Sequence, residues 1–269
     1  MSFFNKVIIV TGATSGIGKS IVFSLCKFDA KIVIVGRNSQ NLLSTSIELQ
    51  KQNIDHLAIN CDVSVESDCK SMINNVLQYY GTIDILINNA GISMRALFKD
   101  LDIKVLHQLM NTNFWGSVYC TQFALPEIIK NKGSIVGVSS IAGYRGLPAR
   151  TGYSASKFAL QGFLEALRTE LMHTGVHVLI ACPGYTNSNI RKSALLSDGT
   201  TQNQTPLDEQ GLMSSEAVAE AIVKAIQQRQ PILTLTLKGK LTVLLNKFFP
   251  VFMDKIVYNA LKKEPNSPF

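Results

Sequence analysis

Tyr153 and Lys157 stand four residues apart in Tyr153-Ser154-Ala155-Ser156-Lys157, and the apolar positions Phe158, Leu160, Phe163, Leu164 and Leu167 follow at helical spacing. Residues i and i+4 share a helix face, so the phenol and the ammonium are expected side by side. The positive charge is expected to lower the phenol's pKa, which would let the pair supply and withdraw a proton near neutral pH. Such a pair is common on protein surfaces by chance and gains meaning only in company. Ser140, upstream at the end of a strand-like run, is placed to donate a hydrogen bond to a substrate oxygen, and Ser139 competes for that role.

A second group of residues suits a dinucleotide. Thr11-Gly12-Ala13-Thr14-Ser15-Gly16-Ile17-Gly18-Lys19 is a G-x-x-x-G-x-G turn between a strand-like run and a helix-like one. Glycines permit tight turning and close approach to a pyrophosphate, whose charge is favoured at a helix start. The acidic residue that commonly binds the adenosine ribose of NAD is replaced at the end of the next strand by Gly36-Arg37-Asn38. Arg37 can pair with a 2′-phosphate through a planar, charge-assisted fork, so NADP(H) is expected over NAD(H). Asp62 follows the third strand-like run, and Asn88-Asn89-Ala90-Gly91 follows the fourth, where strand ends would line a crevice.

The elements that must position these groups are short β-branched runs alternating with longer helical stretches. Strands are expected at Lys6–Thr11, Lys31–Val35, His56–Asn60, Ile83–Asn88, Ser134–Val138 and Val176–Ala181, with helices at Gly18–Phe28, Gln40–Gln52, Glu66–Tyr80 and Ser215–Gln228. Strands apolar on both faces and alternating with helices imply an α/β fold, a doubly wound parallel sheet covered on both sides. In this Rossmann-type arrangement ligands bind outside the C-terminal ends of the strands. The polar stretch Ser188–Ser215 lies beside those ends and is a candidate substrate lid.

Composition limits the alternatives. At 269 residues, 46% hydrophobic and 17% charged, the chain is expected to form one domain over 1–269. The net charge of +7 is concentrated after Pro231, where six lysines face two acids, so nucleic-acid binding by the main body has little support. Five widely spaced cysteines without C-x-x-C suggest neither a disulfide framework nor a zinc site. His173 and His177 straddle Gly175 and make a poor metal pair, so no metal is expected. The N-terminus reads as a cytoplasmic start, and no apolar window is long enough for a spanning helix.

Taken together, Thr11–Gly18, Asn88–Gly91, Asn113, Ser140 and Tyr153 with Lys157 resemble the short-chain dehydrogenase/reductase family over about Lys6 to Gly184. The resemblance implies hydride transfer between a nicotinamide and a carbonyl or alcohol. Tyr153 would be the acid/base, Lys157 would hold the nicotinamide ribose, Ser140 would polarise the carbonyl, and Asn113 would support a proton-relay water. Ser139-Ser140-Ile141-Ala142-Gly143 matches the family's S-S-x-A-G pattern, whose second serine is functional, which favours Ser140. Dinucleotide contacts are then expected from Gly12, Thr14, Ser15, Gly16, Ile17, Gly18, Arg37, Asp62, Val63, Asn89, Ala90, Gly91, Tyr153, Lys157, Pro183 and Gly184. Beyond Pro183-Gly184 the pattern departs, and either Ser188 or Thr186 is aligned with the hydroxyl that meets the carboxamide.

The substrate implied is a lipophilic ketone or aldehyde, with oxidation of an alcohol as the reverse reading and a non-catalytic nucleotide-binding regulator as the alternative class. The family's habit of association implies a homodimer or homotetramer, with Phe158, Phe163, Leu167 and Leu171 as candidates for core or interface. The segment 239–265 is an apolar and basic extension interrupted by Pro250, which suits packing on its own domain, a lid, or peripheral contact with a membrane.

Overall fold

The computed structural model describes residues 1–205, 211–265 and 267–269. Seven parallel strands form the main sheet: β1 (Val7–Thr11), β2 (Lys31–Gly36), β3 (His56–Asn60), β4 (Ile85–Asn88), β5 (Ser134–Val138), β6 (His177–Cys182) and β9 (Ile232–Thr234), in the order β3-β2-β1-β4-β5-β6-β9. Between them run α1 (Gly16–Leu25), α2 (Ser39–Gln50), α3 (Glu66–Tyr80), α4 (Ile103–Met110), α5 (Gly116–Lys130), α6 (Thr151–Glu170) and α7 (Ser215–Gln227). A two-residue ribbon joins β7 (Thr186–Asn187) to β8 (Met213–Ser214).

Alternation along the strands explains the two-sided burial. Ile8 and Val10 of β1 belong to one apolar cluster with α1 and α7, while Val7 and Ile9 belong to another with α3, α5 and α6. Both faces are therefore covered, as expected of parallel strands built from near-continuous apolar residues. The strand order reverses between β1 and β4, so their C-terminal ends open a crevice at the switch point.

The expected elements are present with ends shifted by up to three residues; α1 takes in Gly16 and ends at Leu25, followed by a 3-10 turn over Cys26–Phe28. The seventh strand, β9, was not expected. It is three residues long and follows Pro231, whose carbonyl receives the Ile180 amide at 3.1 Å. His177 spends its ring nitrogens on Gln230 O at 2.7 Å and Ser134 Oγ at 3.2 Å, which ties β6 to this connection.

The tail is two helices rather than one interrupted block: α8 (Leu237–Phe248) and α9 (Pro250–Lys262), with Pro250 opening the second, where a missing N–H costs nothing. Thr236, at φ +64°, turns the chain sharply into α8, and its hydroxyl caps Gly239 N at 3.0 Å. Arg145 fastens the hairpin, donating to Asn246 Oδ1 and Pro250 O and pairing with Asp254. Further on, Arg95 pairs with Glu264 at 3.4 Å in a largely buried contact. The stretch 188–215 is tied down at Leu195, which exchanges backbone bonds with Ser93 and Arg95; residues 206–210 of that candidate lid lie outside the described residues.

Candidate active site

The glycine-rich turn is shaped by its neighbours before any ligand is considered. Gly12 has φ +64°, and a Cβ there would lie 2.8 Å from the Ala90 Cα; a Cβ on Gly18 would lie 2.2 Å from Gly12 O. The glycines thus let the start of α1 close onto the β1 turn and onto the strand end carrying Asn89. Thr11 Oγ1 accepts from the amides of Asn89 and Ala90, both at 3.0 Å, and Asn89 Nδ2 donates to Thr11 O at 2.9 Å. These bonds lock the ends of β1 and β4 together at the switch point.

A cleft of about 1270 Å3 opens there, larger than the usual range for one drug-sized ligand. Every residue expected to touch the dinucleotide, from Gly12 through Ser188, lines it. Ser15, the residue before α1, makes no side-chain cap, so the first amides of that helix are available to an anion. Arg37 is exposed at one end of the cleft, and among the described residues no acid is paired with it. Asp62 is engaged by Ser64, whose amide and hydroxyl donate to it at 2.9 and 2.7 Å. This chemistry fits a dinucleotide, with helix amides free for a pyrophosphate and the Arg37 guanidinium exposed along the cleft. Thr186 Oγ1 donates to Gly184 O at 3.2 Å, while Ser188 lies close to Gly16 across the cleft.

At the other end, α6 brings Tyr153 and Lys157 beneath the end of β5. The two serines of β5's end separate clearly. Ser139 is buried, accepts from Gln161 Nε2 at 2.9 Å and donates to Lys157 O at 3.4 Å, so its hydroxyl is committed to α6. Ser140 accepts from Ala142 N at 3.1 Å and meets the Tyr153 phenol. Gln161, which the sequence did not single out, holds the strand end through Ser139, Ser140 O and Cys182. Only its position one turn beyond Lys157 on the same face could have signalled it.

The electrostatics differ from the sequence expectation. Burial raises the Tyr153 pKa above its ordinary value, and the downward pulls come from the Ser140 hydroxyl and the Arg150 charge rather than from Lys157. Lys157 is 3% exposed, and burial depresses its pKa to about 8. Its ammonium donates to Val138 O at 2.8 Å and lies 5.8 Å from the centre of the Tyr153 ring.

Asn113 does not line the cleft. It sits in a π-helical turn, Asn111–Trp115, between α4 and α5, a deformation frequent at functional sites. Its side chain accepts from Ile92 N at 2.8 Å and donates to Ile92 O and Ser156 Oγ, both at 2.9 Å. It therefore braces the segment after Gly91 from behind. The tail completes the cleft wall: Met253, Val257 and Leu261 of α9 are buried and face into it.

Comparison with known proteins agrees with this geometry. The short chain dehydrogenase family model matches residues 6–198. A relative from Xenopus tropicalis, dehydrogenase/reductase SDR family member 7B, is 33% identical, covering 97% of this chain and 87% of its own. The 11-beta-hydroxysteroid dehydrogenase-like 4A of Arabidopsis thaliana is 36% identical over 81% of this chain and 74% of its own. Among solved structures, a short chain dehydrogenase/reductase from Burkholderia phymatum in complex with NAD superposes with a TM-score of 0.85 over 94% of this chain and 96% of that one. At 20% identity, that likeness speaks for the fold alone. Fold, family model and relatives converge: this chain belongs to the short-chain dehydrogenase/reductase family and is an oxidoreductase acting on hydroxyl or carbonyl groups.

Proposed function

We propose that the protein is an NADP(H)-dependent reductase of a lipophilic ketone or aldehyde, formed by one domain over 1–269. The observation that carries this reading is the meeting of the Tyr153 phenol with the Ser140 hydroxyl, above a buried Lys157, at the mouth of a dinucleotide-sized cleft. A nicotinamide held in this cleft would supply or accept the hydride. Tyr153 gives its proton to the carbonyl oxygen in reduction and takes it back in oxidation. Ser140 donates to the same oxygen and holds it in place. Lys157 serves the nicotinamide ribose and assists Tyr153, and Asn113 acts at one remove, by holding the Ile92 backbone that borders the site. Thr186 and Ser188 are the two hydroxyls available to the carboxamide.

Preference for NADP(H) rests on the exposed Arg37, which no acid among the described residues pairs, and the lipophilic substrate on the apolar wall of α9. Replacing Tyr153 by Phe is expected to keep cofactor affinity and lower carbonyl reduction at least about a hundredfold. Near wild-type turnover would remove the acid/base assignment. Arg37→Ala is expected to weaken NADPH by roughly ten- to a hundredfold while sparing NADH.

The outer faces suggest where the protein meets others. Leu237, Leu244, Phe248, Val251 and Phe252 are more than half exposed on α8 and α9, interleaved with lysines. This pattern supports peripheral contact with anionic membranes through the hairpin's outer face, for a protein we place in the cytoplasm, with the inner face and 188–215 enclosing the substrate. No described helix is long and apolar enough to cross a membrane. Exposed Trp115 and Phe158, beside α5 and on α6, support homo-oligomerisation, whereas Leu167 and Leu171 are core residues. Sedimentation with anionic and neutral vesicles, and light scattering, test the two contacts.

A further inference from the structure

Arg150 immediately precedes α6, three residues before Tyr153. Its position is set by Ala149, which adopts a left-handed φ of +56° and whose carbonyl receives the Ala96 amide at 3.0 Å. Arg150 is only 5% exposed and lines the cleft together with Leu147, Tyr153, Val257 and Leu261. Among the described residues, no oxygen accepts a hydrogen bond from its guanidinium and no carboxylate is paired with it. The protein's other enclosed guanidiniums are engaged: Arg95 with Glu264 and Pro265 O, Arg145 with Asp254 and Asn246, Arg191 with Thr205.

No guanidinium nitrogen of Arg150 is among the buried polar atoms that lack a partner, so the group opens onto the cleft, where an anionic ligand would supply its counter-charge. Among the described residues the surroundings offer no internal partner. The only acid among the described cleft-lining residues is Asp62, which lies beyond β3 and is held by Ser64. Glu264 is taken by Arg95, whose own guanidinium feels the Arg150 charge and whose Nε is buried without a partner. The result is a positively charged corner next to Tyr153, walled by the apolar face of α9.

We propose that Arg150 binds an acidic group of the substrate, a carboxylate or a phosphate ester, so that the enzyme acts on lipophilic oxo compounds carrying an anion close to the reacting carbon. A guanidinium presents a planar fork that matches either anion with two parallel bonds. Arg150 is the residue before α6 and lines the same cleft as Tyr153, whose phenol feels its charge, so an anion held by Arg150 would lie close to the reacting carbonyl. The apolar remainder of the substrate runs along Met253, Val257 and Leu261 of α9. The inference rests on Tyr153 as the reacting end of the site, and it turns a general lipophilic carbonyl into an amphipathic one.

The test uses the full chain saturated with whichever of NADP+ and NAD+ it binds more tightly. Calorimetric titration with dodecyl phosphate, laurate and dodecanol below their aggregation limits reads anion recognition without any chemistry. Wild-type protein is expected to bind at least one anion about tenfold or more tightly than the alcohol, the tighter one naming the group. R150Q is expected to erase that preference and R150K to retain part of it. In parallel, the kcat/KM ratio for a long-chain oxo acid over its methyl ester is expected to fall about ten- to a hundredfold in R150Q. Equal binding of anions and alcohol by the wild type, or an undiminished anion preference in R150Q, overturns the proposal; the wild-type comparison decides even if R150Q does not fold. Undiminished reduction by Y153F would overturn the acid/base reading and leave the titration result standing.

Discussion

Lys157 offers a test in which stability and catalysis oppose each other. Its ammonium is 3% exposed, and burial depresses its pKa from 10.5 to about 8 despite the bond to Val138 O. Below pH 8 the side chain is charged in both the folded and unfolded states, and the full cost of burying that charge falls on the fold. At 1.36 kcal/mol for each tenfold change, this cost is about 3 kcal/mol. Between pH 8 and 10.5 the unfolded chain binds more protons than the folded one, so stability rises with pH across this window. Lys157→Met removes the charge with a side chain of similar reach, at the expense of leaving Val138 O without its donor. The difference in unfolding free energy, wild type minus K157M, should therefore increase by about 2 kcal/mol from pH 7 to pH 9.5. Urea denaturation of the cofactor-free proteins at several pH values measures it, and the subtraction cancels contributions that the two proteins share. K157M should also lose most carbonyl reduction at every pH. A difference that stays level or shrinks as pH rises would refute the argument that burial, rather than its bonding partner, governs this lysine.

Ser140→Ala is expected to lower kcat by about a hundredfold, as for loss of a donor to a developing oxyanion, whereas Ser139→Ala should cost much less because that hydroxyl serves Gln161 and α6; steady-state kinetics on one carbonyl separates them. Gly18→Ala places a methyl 2.2 Å from Gly12 O and is expected to destabilise the protein by about 1–3 kcal/mol and to weaken dinucleotide binding, read by thermal melting and fluorescence titration. Arg145→Ala removes the donor that ties the tail hairpin to the loop after β5, so amide exchange should accelerate through α8 and α9 while β1 to β6 keep their protection.

The doubly wound sheet is legible in the sequence because its signals are local. Runs such as Val7-Ile8-Ile9-Val10 carry their burial on both faces, and the glycines at 12, 16 and 18 punctuate the step from strand to helix. The four-residue spacing of Tyr153 and Lys157 likewise determines their common face through helix geometry alone. Where the sequence fell short, the deciding contacts join distant segments. Ser139 and Ser140 are adjacent and identical; the S-S-x-A-G resemblance favours the second, and the approach of Gln161 from α6, which commits the first hydroxyl and leaves the second to Tyr153, supplies a physical reason that the pattern does not contain. The Tyr153–Lys157 pair was expected to lower the phenol's pKa; desolvation by the assembled core, which no spacing records, outweighs that pull. The tail's apolar pattern does not say which residues turn inward. Arg145, reaching Asn246 and Asp254 more than a hundred positions away, anchors the hairpin with Met253, Val257 and Leu261 toward the cleft and the phenylalanines toward solvent. Arg150 reads as an ordinary loop arginine until the fold buries it beside Tyr153 and spends the nearby carboxylate on Arg95. Period and spacing are properties of a few consecutive residues, whereas desolvation and charge pairing depend on what the folded chain brings alongside.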